Sequence, residues 1–209
     1  MELISVNVSE ARQVEHRGRV VGTGIFKEPV EGRVALGRLT LAGDRQVDFR
    51  HHGGPDKAVY AYPWEHYAVW GEELGRDDLV YGQFGENFTV AGLPEDEVYI
   101  GDQLRIGTAV VEVTQPREPC FKLGIRMGDP RFPDVFRKSE RIGYYLRVIE
   151  EGDVGAGDGI ERLDSVGGGM TVRELFHLVF FDSGNREGIA RALELPALSK
   201  EWRRRLTER

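Results

Sequence analysis

A chain of 209 residues is long enough to bury a core as one sizeable domain, or as one domain of about 150 residues with a small appendage. With 40% hydrophobic and 30% charged residues it has the composition of a folded globular protein, and its formal charge of -7 argues against generic binding to nucleic-acid polymers or to an anionic membrane. One cysteine excludes an internal disulfide and any multi-cysteine zinc site; no apolar run nears the roughly 20 residues that span a bilayer, no basic signal region opens the chain, and the expectation is a cytoplasmic protein.

In chain order, short β-branched or aromatic segments bounded by Gly, Asp or Pro come first: ISVNV, RVAL, RLTL, KAVYAY, ENFTV, EVYI, QLRI, AVVEVT and YYLRVIEE. Evenly scattered short strands, with 27 glycines to turn between them, predict a mainly β architecture and specifically a barrel. A few helices interrupt it: Pro63 to Leu74, burying Tyr67 and Trp70 on one face; Pro119 to Met127; and Pro133 to Arg141, closed by Gly143. After Glu151 the run EGDVGAGDGIERLDSVGGG reads as the end of the barrel followed by a Gly-rich linker. The expected division is a β domain over residues 1–165 and a helical appendage over 166–209. In the appendage Thr171 and Glu174 form a capping box for the helix TVRELFHLVFF, a second helix runs from Arg186 to Leu195, and Ser199 caps a third. The apolar faces of these three helices either fold onto the barrel or pair with a second copy of the chain as a homodimer.

Three clusters carry chemistry. In DRQVDFRHHGGPDK, consecutive strand residues face opposite ways, so His51 and His52 make a poor chelate. The Gly53-Gly54 turn can offer backbone N–H groups to an anion while Arg50, a histidine and Lys57 supply positive charge; a glycine-rich hairpin with surface charges accounts for the same residues. In YGQFGENFT, Gly82 and Gly85 permit unusual backbone angles or the close approach of a ligand, and Glu86 or Asn87 can orient a neighbouring loop; a plain turn before a strand is the alternative. In VTQPREPCFKL, two prolines stiffen a loop that places Cys120 in the first turn of a helix, flanked by Arg117 and Lys122, where a helix dipole and cations favour the thiolate as nucleophile or soft-metal ligand. A lone cysteine is by default an inert core residue. The segment Arg117 to Arg147, however, is +4 within a chain of -7, and a basic patch around the one cysteine suits an anionic cofactor. His16, His66 and His177 are isolated and read as structural or surface residues.

Taken together and in order, GDRQVDFRHHGGPDKAVYAYP, GQFGENFTV, IGDQLRIG and VEVTQPREPCFKL resemble the MOSC domain, named for the C-terminal domain of molybdenum-cofactor sulfurases, over roughly residues 1–160. The resemblance implies a barrel whose open end binds the molybdenum cofactor, molybdopterin carrying the metal, with Cys120 as the protein ligand to molybdenum and Arg117 as the motif arginine. The segment HGG-x-x-KA carries over onto His52, Gly53, Gly54, Lys57 and Ala58. With Arg50, His51, Asn87 and Lys122 these complete the expected cofactor-binding set, and His52 is the expected proton donor beside the catalytic Cys120. The implied activity is reduction of small N-hydroxylated compounds such as hydroxylaminopurines to the amines. Because Cys120 is alone, no iron–sulfur extension is present and a separate electron-donating reductase is the expected partner. The alternative is a cofactor carrier or sulfur-delivery module without turnover of its own.

Overall fold

The structure is a computed structural model that describes residues 1–47, 53–164 and 169–208. The expected domain boundary at 165/166 and the expected site residues Arg50, His51 and His52 lie outside the described residues.

An eight-stranded sheet forms the body. Its order runs β12 (Ile160–Asp164), β8 (Gln103–Ile106), β9 (Ala109–Pro116), β10 (Tyr144–Glu150), β6 (Val59–Pro63), β7 (Phe88–Ala91), β1 (Glu2–Val8) and β4 (Glu28–Pro29). Neighbours are antiparallel except β6 and β7, which run parallel. The two sides of the sheet meet again: Glu2 bridges Gly159, Leu3 N–H donates to Asp158 O at 2.9 Å, Gly157 N–H to Leu3 O at 2.8 Å, and Ile160 N–H to Met1 O at 3.0 Å. The residues leading into β12 thereby pair with β1, which closes the expected barrel and leaves no long open edge between them.

All five residues of β6 are buried, as expected of a strand covered on both faces. One face lies beneath α1 (Glu65–Leu74) and α3 (Phe132–Ser139): Trp70 and Phe136 stack at 5.6 Å, and the Trp70 indole N–H donates to the Tyr62 hydroxyl at 2.7 Å. Each such aromatic contributes about 1.5–3 kcal/mol by leaving water. A separate hairpin, β2 (Arg12–His16) and β3 (Arg19–Thr23), precedes β5 (Arg33–Leu36), which pairs with β11 (Gly152–Gly155).

Several expectations are corrected. RLTL is a turn with one bridge, Leu36 to Leu41, held by Gly37 N–H on Thr40 O at 3.0 Å. EVYI is likewise a turn that touches the tail through a single bridge, Tyr99 to Thr171. The run after Glu151, expected to hold the end of the barrel and then a linker, contains two strands absent from the predicted ones, β11 and β12, because distant partners β5 and β8 supply the hydrogen bonds that its glycine content hid. The hairpin β2–β3 has no counterpart among the predicted strands, since its residues are mostly polar and exposed. Pro63 ends β6 and the helix starts at Glu65, while the helix after Pro119, α2, spans Phe121–Met127.

The tail forms α4 (Val172–Phe180), α5 (Arg186–Glu194) and α6 (Lys200–Thr207). Its capping box is present: Glu174 N–H donates to Thr171 Oγ1 at 3.1 Å and Thr171 N–H to Glu174 Oε2 at 2.8 Å. Its apolar residues Leu175, Phe176, Trp202 and Leu206 are buried within the chain. Hydrogen bonds from Ser199 N–H to Thr114 O (3.3 Å) and from Arg147 to Ala197 O (3.4 Å) dock the start of α6 on β9 and β10. Among the described residues no helix is long and apolar enough to cross a membrane.

Candidate functional site

A pocket opens where the Lys57 turn, the Arg117–Lys122 loop, Tyr60 of β6 and Tyr145 of β10 meet the segments 23–27 and 44–47.

Arg117 follows β9 directly and extends its ladder, donating its backbone N–H to Gly143 O at 3.1 Å. Its guanidinium lies 4.9 Å from the centre of the Tyr60 ring and 5.4 Å from that of Phe136. The side chain is buried, and its Nη1 has no hydrogen-bond partner among the described residues. A buried charged donor without an acceptor is costly, and it suits a wall that receives an anion.

Cys120 stands one residue earlier than the sequence suggested. It is the N-cap of α2, in extended conformation, and its side chain makes no capping hydrogen bond. The thiol therefore has no local structural task; it is partly buried and lines the pocket. Lys122, in the first turn of α2, is buried and lines the same pocket.

Lys57 ends a single 3₁₀ turn, Pro55–Lys57, which fixes it just before β6. Its ammonium is buried, lies 5.8 Å from the Tyr145 ring centre and bonds Glu201 of α6 at 2.5 Å. Gly53 and Gly54 are not among the described residues that line the pocket. The Gly54 N–H, expected to face an anion, donates to the Gln46 side chain at 3.2 Å, and Gly54 O accepts from Lys57 N–H at 3.0 Å. Asn87 lines the pocket, but its amide is committed to the scaffold: Nδ2 donates to Asn7 O (3.2 Å) and Asp44 Oδ2 (3.0 Å), and Oδ1 accepts from Tyr60 N–H (3.2 Å).

Two cations of the wall were missed by the sequence reading, the exposed Arg45 and the buried Lys27. Lys27 is buried, lines the pocket and forms an ion pair with Asp44, whose carboxylate also accepts from Ser9 N–H at 2.9 Å, Thr40 Oγ1 at 3.1 Å and Asn87. Burial pushes the Lys27 pKa below that of an ordinary lysine, against the pull of Asp44. The GQFGEN loop explains its placement. Gly82 and Gly85 adopt positive φ, and a Cβ on either would come within 2.7 Å of Lys27 O or of Ile25 Cγ1. The glycines admit the close approach of segment 25–27, and Gly85 also lines the pocket. Glu86 holds that loop from inside, accepting from the Tyr67 hydroxyl, Gly82 N–H (2.9 Å), Phe84 N–H (3.1 Å) and Thr89 Oγ1 (3.0 Å). Burial raises its pKa despite these bonds. The nearest sequence signal for Lys27 was the glycine pair, which marked a tight approach without naming what approached.

Four buried cations, Lys27, Lys57, Arg117 and Lys122, thus share one pocket with Cys120 and the exposed Arg45; Asp44 on the same wall pairs with Lys27, and Glu201 of α6 pairs with Lys57. Burial raises Tyr145 to about 12, with Arg117 pulling the other way, so its phenol stays neutral at the wall. Among the described residues no group of three or more His, Cys, Asp or Glu stands ready to hold a bare metal ion.

Residues 48–161 match the MOSC domain. The chain belongs to the MOSC domain family. Residues 170–209 match the YiiM-like three-α-helix domain. YflK of Bacillus subtilis is 42% identical over 201 residues, covering 96% of this chain and 90% of that one. A protein named Reductase from Gibberella moniliformis is 33% identical over 150 residues, which is 70% of this chain and 27% of that protein. The crystal structure of YiiM from Geobacillus stearothermophilus superposes with a TM-score of 0.84 at 33% identity, covering 99% of this chain and 97% of that one. The part matched as MOSC contains Lys57, Arg117, Cys120 and Lys122; Lys27 precedes it and Glu201 belongs to the helical domain.

Proposed function

We propose that this MOSC protein binds the molybdenum cofactor with Cys120 as the ligand to the metal, and that it reduces small N-hydroxylated compounds with electrons from a separate reductase. The observation that carries the reading is the pairing of one thiol with four buried cations on one pocket wall, among them Arg117, whose Nη1 has no partner among the described residues. Such a donor set fits a phosphate-bearing group that presents a soft metal to a thiolate. The relative named Reductase supports the redox half of the reading.

When bound, the cofactor supplies the two-electron chemistry by which R-NH-OH, two electrons and two protons give R-NH2 and water. The chain's own residues do the rest. Cys120, without a capping bond to break, presents its sulfur to the metal. Lys27, Lys57, Arg117 and Lys122 hold the anionic part, and the hydrogen bonds of Asn87 and Asp44 fix the wall on which they sit. Tyr145 offers a neutral O–H as a hydrogen-bond donor. Arg50, His51 and Gly53 complete the proposed cofactor set, with His52 as the proposed proton donor; the cytoplasm is the proposed compartment.

The test is to express the protein in a host that makes the cofactor and to follow reduction of a hydroxylaminopurine with an artificial electron donor. Turnover in the wild type and its loss in Cys120→Ala are expected. Full activity in Cys120→Ala contradicts the reading, and stoichiometric cofactor without turnover identifies a carrier instead.

A further inference from the structure

The helical domain touches the loops that build the pocket. Glu201 and Arg205, four residues apart and so on one face of α6, make crossed ion pairs with the two loops that build the site. Glu201 pairs with Lys57 at 2.5 Å, and Arg205 pairs at 2.6 Å with Glu118, two residues before Cys120. The start of the helix is tied to the same turn as Lys57: Lys200 N–H donates to Asp56 Oδ2 at 3.2 Å, while Thr114, whose carbonyl receives Ser199 N–H, donates its hydroxyl to Asp56 O at 2.7 Å. Asp56 is also held by Arg147 at 2.7 Å. The side chain of Lys57 is 7% exposed and that of Glu201 40% exposed. A partly exposed carboxylate of α6 thus meets a buried cation of the pocket wall.

We propose that Glu201 is a positioning residue and counter-ion of the anion pocket: the helical domain lends one carboxylate that holds Lys57 at the wall and offsets part of its charge. The inference rests on the reading of the pocket as the site of an anionic cofactor. It gives the appendage a task in the site, tuning how tightly the pocket holds an anion, beyond packing on the barrel. The charge arithmetic is direct. Glu201→Gln removes one negative charge from beside Lys57 and leaves the cations of the wall in place.

Inorganic pyrophosphate, titrated calorimetrically into the purified full chain, is the probe. Glu201→Gln tightens its binding about fivefold, since a half-exposed carboxylate near the anion is removed, and steepens the dependence of affinity on salt. Arg205→Gln breaks the other ion pair of the same helix and leaves the Lys57–Glu201 pair in place; it produces no tightening, which separates an effect on the pocket from looser docking of the helix. Unchanged or weaker binding in Glu201→Gln, with wild-type binding intact, overturns the inference and leaves the cofactor reading standing. Tightening in both variants also overturns it, because loosening of α6 would then be the cause. Absence of pyrophosphate binding in the wild type overturns both readings.

Discussion

Replacing Lys27 by methionine separates the two tasks that the structure gives this side chain. Its ammonium and the Asp44 carboxylate are nearly sealed from solvent, at 8% and 2% side-chain exposure. Breaking a buried ion pair by removing one partner costs about 3–5 kcal/mol, mostly the penalty of the charge left behind. Asp44 keeps three other donors, Ser9 N–H, Thr40 Oγ1 and Asn87 Nδ2. Methionine also removes the cost of burying the ammonium, so the expected loss is about 2 kcal/mol, read from urea unfolding with an unchanged m-value. Pyrophosphate affinity falls at least about tenfold, roughly 1.4 kcal/mol. The pH dependences run in opposite directions. Because burial lowers the folded pKa of Lys27 below 10.5, wild-type anion affinity declines with a midpoint below 10.5 as the ammonium deprotonates, and Lys27→Met lacks that step. For stability, the unfolded chain holds this proton more tightly than the folded one, so wild type gains on Lys27→Met as pH rises through the window below 10.5. A variant that loses the stability but keeps pyrophosphate affinity within about twofold refutes the reasoning, and Lys27 is then only the counter-ion of Asp44.

Three further outcomes are expected. Gly82→Ala forces a side chain into positive φ and sets its Cβ 2.7 Å from Lys27 O, so thermal or urea unfolding should show a loss of about 2–4 kcal/mol. Glu86 has a folded pKa above 4.5 because of burial, so its contribution to stability is full below 4.5 and is lost as pH rises through the folded value; Glu86→Gln should flatten that slope in unfolding measured across pH, and an unchanged slope contradicts the assignment. Cys120→Ala should leave stability within about 1 kcal/mol, since the thiol caps nothing; a larger loss would mean a structural role for the sulfur.

The barrel was legible where burial is two-sided or alternating: β6, β9 and β10 are dense in β-branched and aromatic residues and need no distant information to be recognised as strands. Caps were legible as well, because Thr171–Glu174 and Ser199 act on their own helices. β11 and β12 were not, since glycine and acidic residues speak against a strand until β5 and β8 provide partners. The site divides the same way. Cys120, Arg117 and Lys122 share one short loop and helix start, so local spacing exposes them. Lys27 and Asp44 are 17 residues apart, and Lys57 and Glu201 are 144 apart. Lys57 was marked by its HGG-x-x-KA segment, but Lys27, Asp44 and Glu201, read locally, are charged residues that belong on a solvated surface. Only closure of the barrel and docking of α6 turn them into pairs around one pocket. The Gly53-Gly54 turn shows the converse, a plausible local anion site whose Gly54 N–H is used by Gln46.

Metal and pterin content, measured on protein purified from a cofactor-competent host, tests the central claim most directly. Wild type should carry molybdenum and pterin in equal amounts approaching one per chain, and Cys120→Ala, still folded, should lose the molybdenum. Absence of both from wild type, or the same molybdenum content in Cys120→Ala, would contradict the account of Cys120 as the metal's protein ligand.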